Sequence, residues 1–140
     1  MLPTELAPLR PHLIHTMLHV IDMKRSLDFY CGILGMEIRV ERHDDETGHH
    51  NIFLGFPGES EGAELELTSY RDRTHYDHGD AYGHVGLGVT DCRAACAHFA
   101  ARGVAILREP KDMPSGAVIA FIADPNGYRL EIVQPAPPLR

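Results

Sequence analysis

"HTMLHVIDMKRSLDFY" (His15–Tyr30) and "HVGLGVTDCRAACAHF" (His84–Phe99) can be laid over one another without a gap. His15 then meets His84, Leu18 meets Leu87, Val20 meets Val89, Asp22 meets Asp91 and Tyr30 meets Phe99. In each copy apolar residues alternate with others up to the aspartate, the period of a strand with one face in a core. Aspartate is a good helix N-cap, and a helix-like stretch follows each one. The spacing predicts helices over Met23–Leu34 and Cys92–Arg102, each stopping at a glycine, Gly35 and Gly103, the residue type favoured just past a helix end.

Working outward, three strand-like segments follow each helix. They are "MEIRVERH", "NIFLGF" and "AELELTSY" in the first copy, and "VAILRE", "AVIAFIAD" and "YRLEIV" in the second. "DPNG" (Asp124–Gly127) is a turn signal, "HDDETGHH" and "PGESEG" read as loops, and "RDRTHYDHGD" links the copies. Each copy is therefore βαβββ. The expected class is α+β, with an arm at 1–13, a first module at 14–80, a second at 81–135 and a tail at 136–140. Neither module is large enough to bury much alone, so the halves, or halves of two chains, are expected to pair.

The chain has 140 residues, 44% of them hydrophobic, and a formal charge of −7 without a basic cluster. That balance argues against nucleic acid or an anionic membrane as partner. No apolar run approaches the roughly 20 residues of a membrane span. The start "MLPTELAPLRPHL" carries an acid and three prolines and does not read as a signal peptide. Three cysteines, Cys31, Cys92 and Cys96, are an odd count that fits a reducing cytosol. Cys92 and Cys96 read as small buried residues on a helix face.

Strand alternation sorts the polar groups. In "AELELTSY", Leu65 and Leu67 share one face and Glu64, Glu66 and Thr68 the other. In "YRLEIV", Glu131 opposes Leu130 and Ile132, and in "HTMLHVID", His15, Met17 and His19 oppose Leu18 and Val20. With the apolar faces against the helices, His15, Glu66, His84 and Glu131 line the opposite face. Sheets that curl toward each other would enclose them in a cleft. Gly86 and Gly88, beside His84 on that face, would keep its floor clear. Two imidazoles and two carboxylates suit a divalent ion such as Zn, Ni, Co, Mn or Fe(II), and two carboxylates offset its charge. The spacings of 51 and 47 residues are long-range and say little alone; the duplicated His/Glu pair gives them weight. The other eight histidines, among them His49, His50, His75 and His78, fall mostly in expected loops and read as solvated.

"HTMLHVIDMKRSLDFYCGILGMEI", "AELELT", "AYGHVGLGV" and "VIAFIADPNGYRLEIV" together resemble the glyoxalase I (lactoylglutathione lyase) family of the vicinal-oxygen-chelate superfamily, from His15 to Val133. The resemblance implies paired βαβββ modules with sheets curling round a metal cleft, and a cytoplasmic homodimer whose sites are shared between chains. His15 and Glu66 of one chain would join His84 and Glu131 of the other, with two waters completing an octahedral site. It implies Ni(II) or Co(II), with Zn(II) as a further fit. The implied reaction isomerises the hemithioacetal of methylglyoxal and glutathione to the S-lactoyl thioester. Glu131 would be the main base and Glu66 its counterpart.

The match departs from the family in the thiol clamp and nowhere in the metal quartet. His19 stands where the family has an arginine, about 13 Å along the strand from His15 at 3.3 Å per residue. Tyr70 stands where the family often has asparagine, and Met113 lies nearer than Lys111 to the family's lysine position. His19 and Tyr70 are the candidate substrate-binding residues. Two alternatives stay open: a metalloenzyme of the superfamily acting on another thiol or chelating substrate, and a drug-sequestering protein without catalysis. The absence of Trp and an aromatic content of 7% count against the second.

Overall fold

The computed structural model describes residues 4–59 and 62–138. The centre of the "PGESEG" loop, the first three residues of the arm and the last two of the tail lie outside them. The order is β1 (His15–His19), α1 (Met23–Tyr30), β2 (Glu37–Asp44), β3 (His49–Gly55), β4 (Glu64–Tyr70), β5 (Val85–Gly88), α2 (Cys92–Ala100), β6 (Ile106–Asp112), β7 (Val118–Ala123) and β8 (Arg129–Gln134). The strands form two four-stranded sheets, β1-β4-β3-β2 and β5-β8-β7-β6. In each, the first strand pairs parallel to the last and the remaining pairs are antiparallel. This is the α+β arrangement of two βαβββ modules.

Both helices start where the aspartates place them. The Asp22 carboxylate accepts the N–H of Arg25 at 3.1 Å and that of Asp91 accepts the N–H of Ala94 at 2.9 Å. Such a cap is worth roughly 1 kcal/mol. The helices are shorter than the spacing predicts, ending at Tyr30 and Ala100 rather than Leu34 and Arg102. After Tyr30 the N–H groups of Ile33 and Leu34 both turn back to the Phe29 carbonyl. Gly35 and Gly103 lie past these turns with φ of 84° and 81°, a region costly for residues with a Cβ.

The helix-facing residues of both sheets form one core. Leu18, Val20, Ile52, Leu54, Leu65 and Leu67 are buried on one sheet, and Val118, Ala120, Ile122, Leu130 and Ile132 on the other. Cys92 and Cys96 are buried in α2, as expected. A second correction concerns "HDDETGHH". His43 and Asp44 end β2 and His49 and His50 begin β3, so only the tip is loop. Asp44 Oδ1 accepts the N–H groups of Glu46 and Thr47, and Gly48 takes φ of 67°, which closes the hairpin in four residues. On edge strand β6 the register shifts between Arg108 and Lys111, around Pro110, which has no N–H for the ladder. Lys111 and Asp112 are strand residues there.

The modules meet where the "DPNG" turn of the second docks on α1 of the first. Asn126 Oδ1 accepts the Ile21 N–H at 3.1 Å, and its Nδ2 donates to the buried Ser26 hydroxyl at 3.1 Å. The Tyr128 hydroxyl donates to the His19 carbonyl at 2.8 Å.

Candidate metal centre

Each sheet carries one histidine and one glutamate on the face away from its helix, in matching register. Across the parallel pair β1–β4, Met17 lies opposite Glu66, and His15 is two residues before Met17. Across β5–β8, Gly86 lies opposite Glu131, and His84 is two residues before Gly86. His84 stands just ahead of its strand rather than inside it, a one-residue correction to the sequence reading. His15 Nε2 is 3.1 Å from Glu66 Oε2, and His84 Nε2 is 2.8 Å from Glu131 Oε2.

The surroundings repeat too. Phe53 lies opposite Glu66 and Phe121 opposite Glu131. Their rings meet the histidines edge-on, with centroids 5.3 Å apart for His15–Phe53 and 5.2 Å for His84–Phe121. A guanidinium lies near each phenylalanine face, Arg42 at 5.8 Å from Phe53 and Arg108 at 5.7 Å from Phe121. Sequence reasoning missed these four residues. The gapless overlay does not align Phe53 with Phe121, and their equivalence appears only in the strand pairing.

The four donors do not converge within one chain. Among the described residues, no three His, Cys, Asp or Glu side chains come together to hold a metal ion. Each sheet instead presents a preformed half-site of one imidazole nitrogen and one carboxylate oxygen. The Glu66 and Glu131 side chains are 13% and 21% exposed, so both are largely but not fully shielded from solvent. A Cβ built on Gly86 or Gly88 would meet nothing within 4 Å, so within one chain these glycines are not required by a neighbour.

At the far end of β1 the His19 ring stacks on Tyr76, with centroids 4.8 Å apart and an interplanar angle of 4°. The Arg73 guanidinium lies over the Tyr76 ring, 4.3 Å from its centroid. Tyr70 is 6.1 Å from His19 and stacks at 4.8 Å on His49. A cavity of about 290 Å³ opens beside His19, lined also by Ile21, Asp22, Arg25, His75 and Asn126. The sequence reading as solvated loop residues holds for His75 and His78, which are exposed and lie outside any helix or strand, and fails for His49 and His50. His49 and His50 are strand residues, His50 pairs with Glu41 at 2.8 Å, and His78 packs 4.5 Å from Tyr128.

Residues 12–132 match the family described as the Glyoxalase/Bleomycin resistance protein/Dioxygenase superfamily, and the chain belongs to it. Several of its curated relatives are named lactoylglutathione lyase. It is 42% identical over 124 residues to a probable lactoylglutathione lyase of Synechocystis sp., covering 87% of this chain and 94% of that protein. It is 41% identical to a lactoylglutathione lyase of Neisseria meningitidis, covering 87% and 89%. Among solved structures, glyoxalase I from Zea mays superposes with a TM-score of 0.82 at 32% identity, over 89% of this chain but 45% of the maize chain. A trypanothione-dependent glyoxalase I from Leishmania major superposes with a TM-score of 0.77 at 34% identity, over 88% and 86%.

Proposed function

We propose that this chain is a metal-dependent glyoxalase I that isomerises the hemithioacetal of methylglyoxal and a thiol to the S-lactoyl thioester. The observation that carries the reading is the pair of matched half-sites, His15 with Glu66 and His84 with Glu131, each already closed to within 3.1 Å on its own sheet. Two imidazoles and two carboxylates fit a divalent ion, Ni(II) or Co(II) first and Zn(II) next. His15 and Glu66 of one copy and His84 and Glu131 of a second would hold it, in a cytoplasmic homodimer built from units at 14–80 and 81–135. Bound there, the ion supplies Lewis-acid polarisation of the two substrate oxygens.

The chain's own residues supply the proton path. Glu131 takes the proton from the carbon bearing sulfur and returns it to the neighbouring carbon, while the hydroxyl proton moves from the first oxygen to the second. No oxidant enters, because the thioester carbonyl gained at one carbon balances the carbonyl lost at the next. Phe53 and Phe121 give the carboxylates an apolar backing that limits water at the reacting carbons. Glu66 is the counterpart carboxylate of Glu131 on the other half-site.

The thiol is glutathione in the first reading. A second reading, another thiol of the same chemistry, draws on one observation: the arginine position of the family's thiol clamp is a histidine stacked flat on Tyr76, with Tyr70 beside it. A trypanothione-dependent relative of similar fold supports such variation. The test is thioester formation, followed by its ultraviolet absorbance, with protein reconstituted with Ni(II), Co(II) or Zn(II). Turnover is expected with methylglyoxal and glutathione, and Glu131→Gln is expected to lose about 100-fold or more, the usual worth of a positioned base. Metal-loaded protein at background with glutathione and with bulkier thiols would overturn the reading. Turnover with a bulkier thiol alone would select the second.

A further inference from the structure

The two half-sites repeat in register but differ beneath the carboxylates. Glu66 Oε1 accepts the side-chain amide of Asn51 at 2.5 Å and the Thr68 hydroxyl at 3.3 Å. The same Asn51 amide reaches the Thr68 oxygen at 2.8 Å, and Thr68 is 2% exposed. With His15 on Oε2, both oxygens of Glu66 are engaged. Asn51 must present its nitrogen here, because an ionised carboxylate only accepts. Glu131 has His84 on Oε2, and among the described residues no donor reaches its Oε1.

The sequence explains the difference. Asn51 faces Thr68 across β3–β4, and the same positions across β7–β8 are Ile119 and Val133. One module places an amide and a hydroxyl under its glutamate, and the other places two hydrocarbon side chains.

We propose that Asn51 is a positioning residue: it fastens Glu66 through Oε1, so that only Oε2, the oxygen beside His15, is presented to a metal ion, and so makes the two glutamates unequal. Glu66 stays in place while Glu131, held by one contact, is the carboxylate free to swing between ligand and base. The inference rests on the proposed metal site and deepens it. A carboxylate with both oxygens engaged must break several hydrogen bonds to turn, whereas Glu131 breaks one. Outer hydrogen bonds of this kind orient ligands and hold the metal they bind.

The test has a readout apart from activity. Co(II)-loaded wild type and Asn51→Leu are challenged with EDTA, and release is followed by the Co(II) absorption. The variant is expected to release Co(II) about 10- to 100-fold faster, the usual size of such an effect. Asn51→Asp, of the same shape without the donor, is the second variant should the leucine protein not fold. In turnover, the loss caused by Glu131→Gln is expected to shrink several-fold in the Asn51→Leu background, because Glu66 is then free to move. Mirroring the clamp with Ile119→Asn and Val133→Thr is expected to lower kcat several-fold with KM nearly unchanged and to slow Co(II) release. Release rates within twofold of wild type for both folded Asn51 variants would overturn the proposal. A wild type that binds Co(II) without turnover would sink the proposed reaction while the release rates still judge Asn51. A wild type that takes up no Co(II) would sink both.

Discussion

The Tyr30 hydroxyl donates to Oδ2 of Asp124 at 2.8 Å, a buried bond between the end of α1 in the first module and the β7–β8 turn of the second. Asp124 is 5% exposed, and its other oxygen accepts the N–H groups of Asn126 at 2.8 Å and Tyr128 at 2.9 Å. Burial and the neighbouring carboxylate push the Tyr30 phenol well above its ordinary pKa, so it remains a protonated donor. Tyr30→Phe keeps the ring and its edge-on packing with Phe29 but leaves Oδ2 with only a long contact of 3.4 Å from Asn126. The expected loss is about 1–3 kcal/mol, the usual cost of an orphaned buried acceptor. Calorimetry should show a Tm lower by several degrees. An unchanged Tm would mean that the bond contributes nothing to module docking.

The cysteines are predicted to be sluggish nucleophiles. Burial raises the Cys96 thiol from 9.0 to about 11, and burial also raises Cys92 and Cys31. Thiolate, not thiol, attacks disulfide reagents. Native protein at pH 7 is expected to react much more slowly than denatured protein in a colorimetric thiol assay. The folded state holds the Cys96 proton more tightly than the unfolded chain does. Stability from this group is therefore complete below pH 9 and falls as the pH rises through about 11. Rapid stoichiometric labelling of Cys96 at neutral pH would contradict the burial.

The repeat was legible because local rules agree with the global fold. Both aspartates cap helices, the strand parity of Leu65, Leu67, Leu130 and Ile132 matches their burial, and Glu66 and Glu131 fall on the opposite face. Helix ends were less legible, because φ-positive glycines several residues past the helix look from sequence like immediate stops. The hairpin histidines were misread because turn-forming residues occupy only the tip between two long strands. The Asn51 clamp was invisible for another reason. It depends on pairing across β3–β4, which brings together residues 17 apart, and a single Asn in a strand carries no spacing signal.

His19 leads to a prediction about the thiol. Its ring lies flat on Tyr76 at 4.8 Å, beside the cavity lined by Arg25 and Asn126. A neutral imidazole is a weak partner for a carboxylate, whereas a guanidinium stays charged and stacks equally well on an aromatic face. His19→Arg can thus keep the Tyr76 contact while adding a fixed charge. KM for the glutathione hemithioacetal is expected to fall about tenfold with kcat nearly unchanged, since one charge-assisted bond is worth roughly 1.5–3 kcal/mol. Co(II) release should not change, because His19 is four residues along the strand from His15. An unchanged or higher KM would remove His19 from the thiol end of the cleft.

The separation of the half-sites predicts complementation between inactive chains. One variant carries His15→Ala with Glu66→Gln and loses the first half-site. Another carries His84→Ala with Glu131→Gln and loses the second. If each site joins the first half-site of one copy to the second half-site of the other, each homodimer has two defective sites. A mixed dimer places all four lesions in one site and leaves the other intact. Dimers re-formed at random from equal amounts are half mixed, so about one quarter of wild-type turnover is expected from the isologous geometry of a two-fold dimer. Metal content should rise in step, to about one intact site in four. A site closed within one chain would instead leave the mixture as inactive as its components. The absence of any three-ligand cluster within the described part of a single chain is the observation that this experiment puts to work.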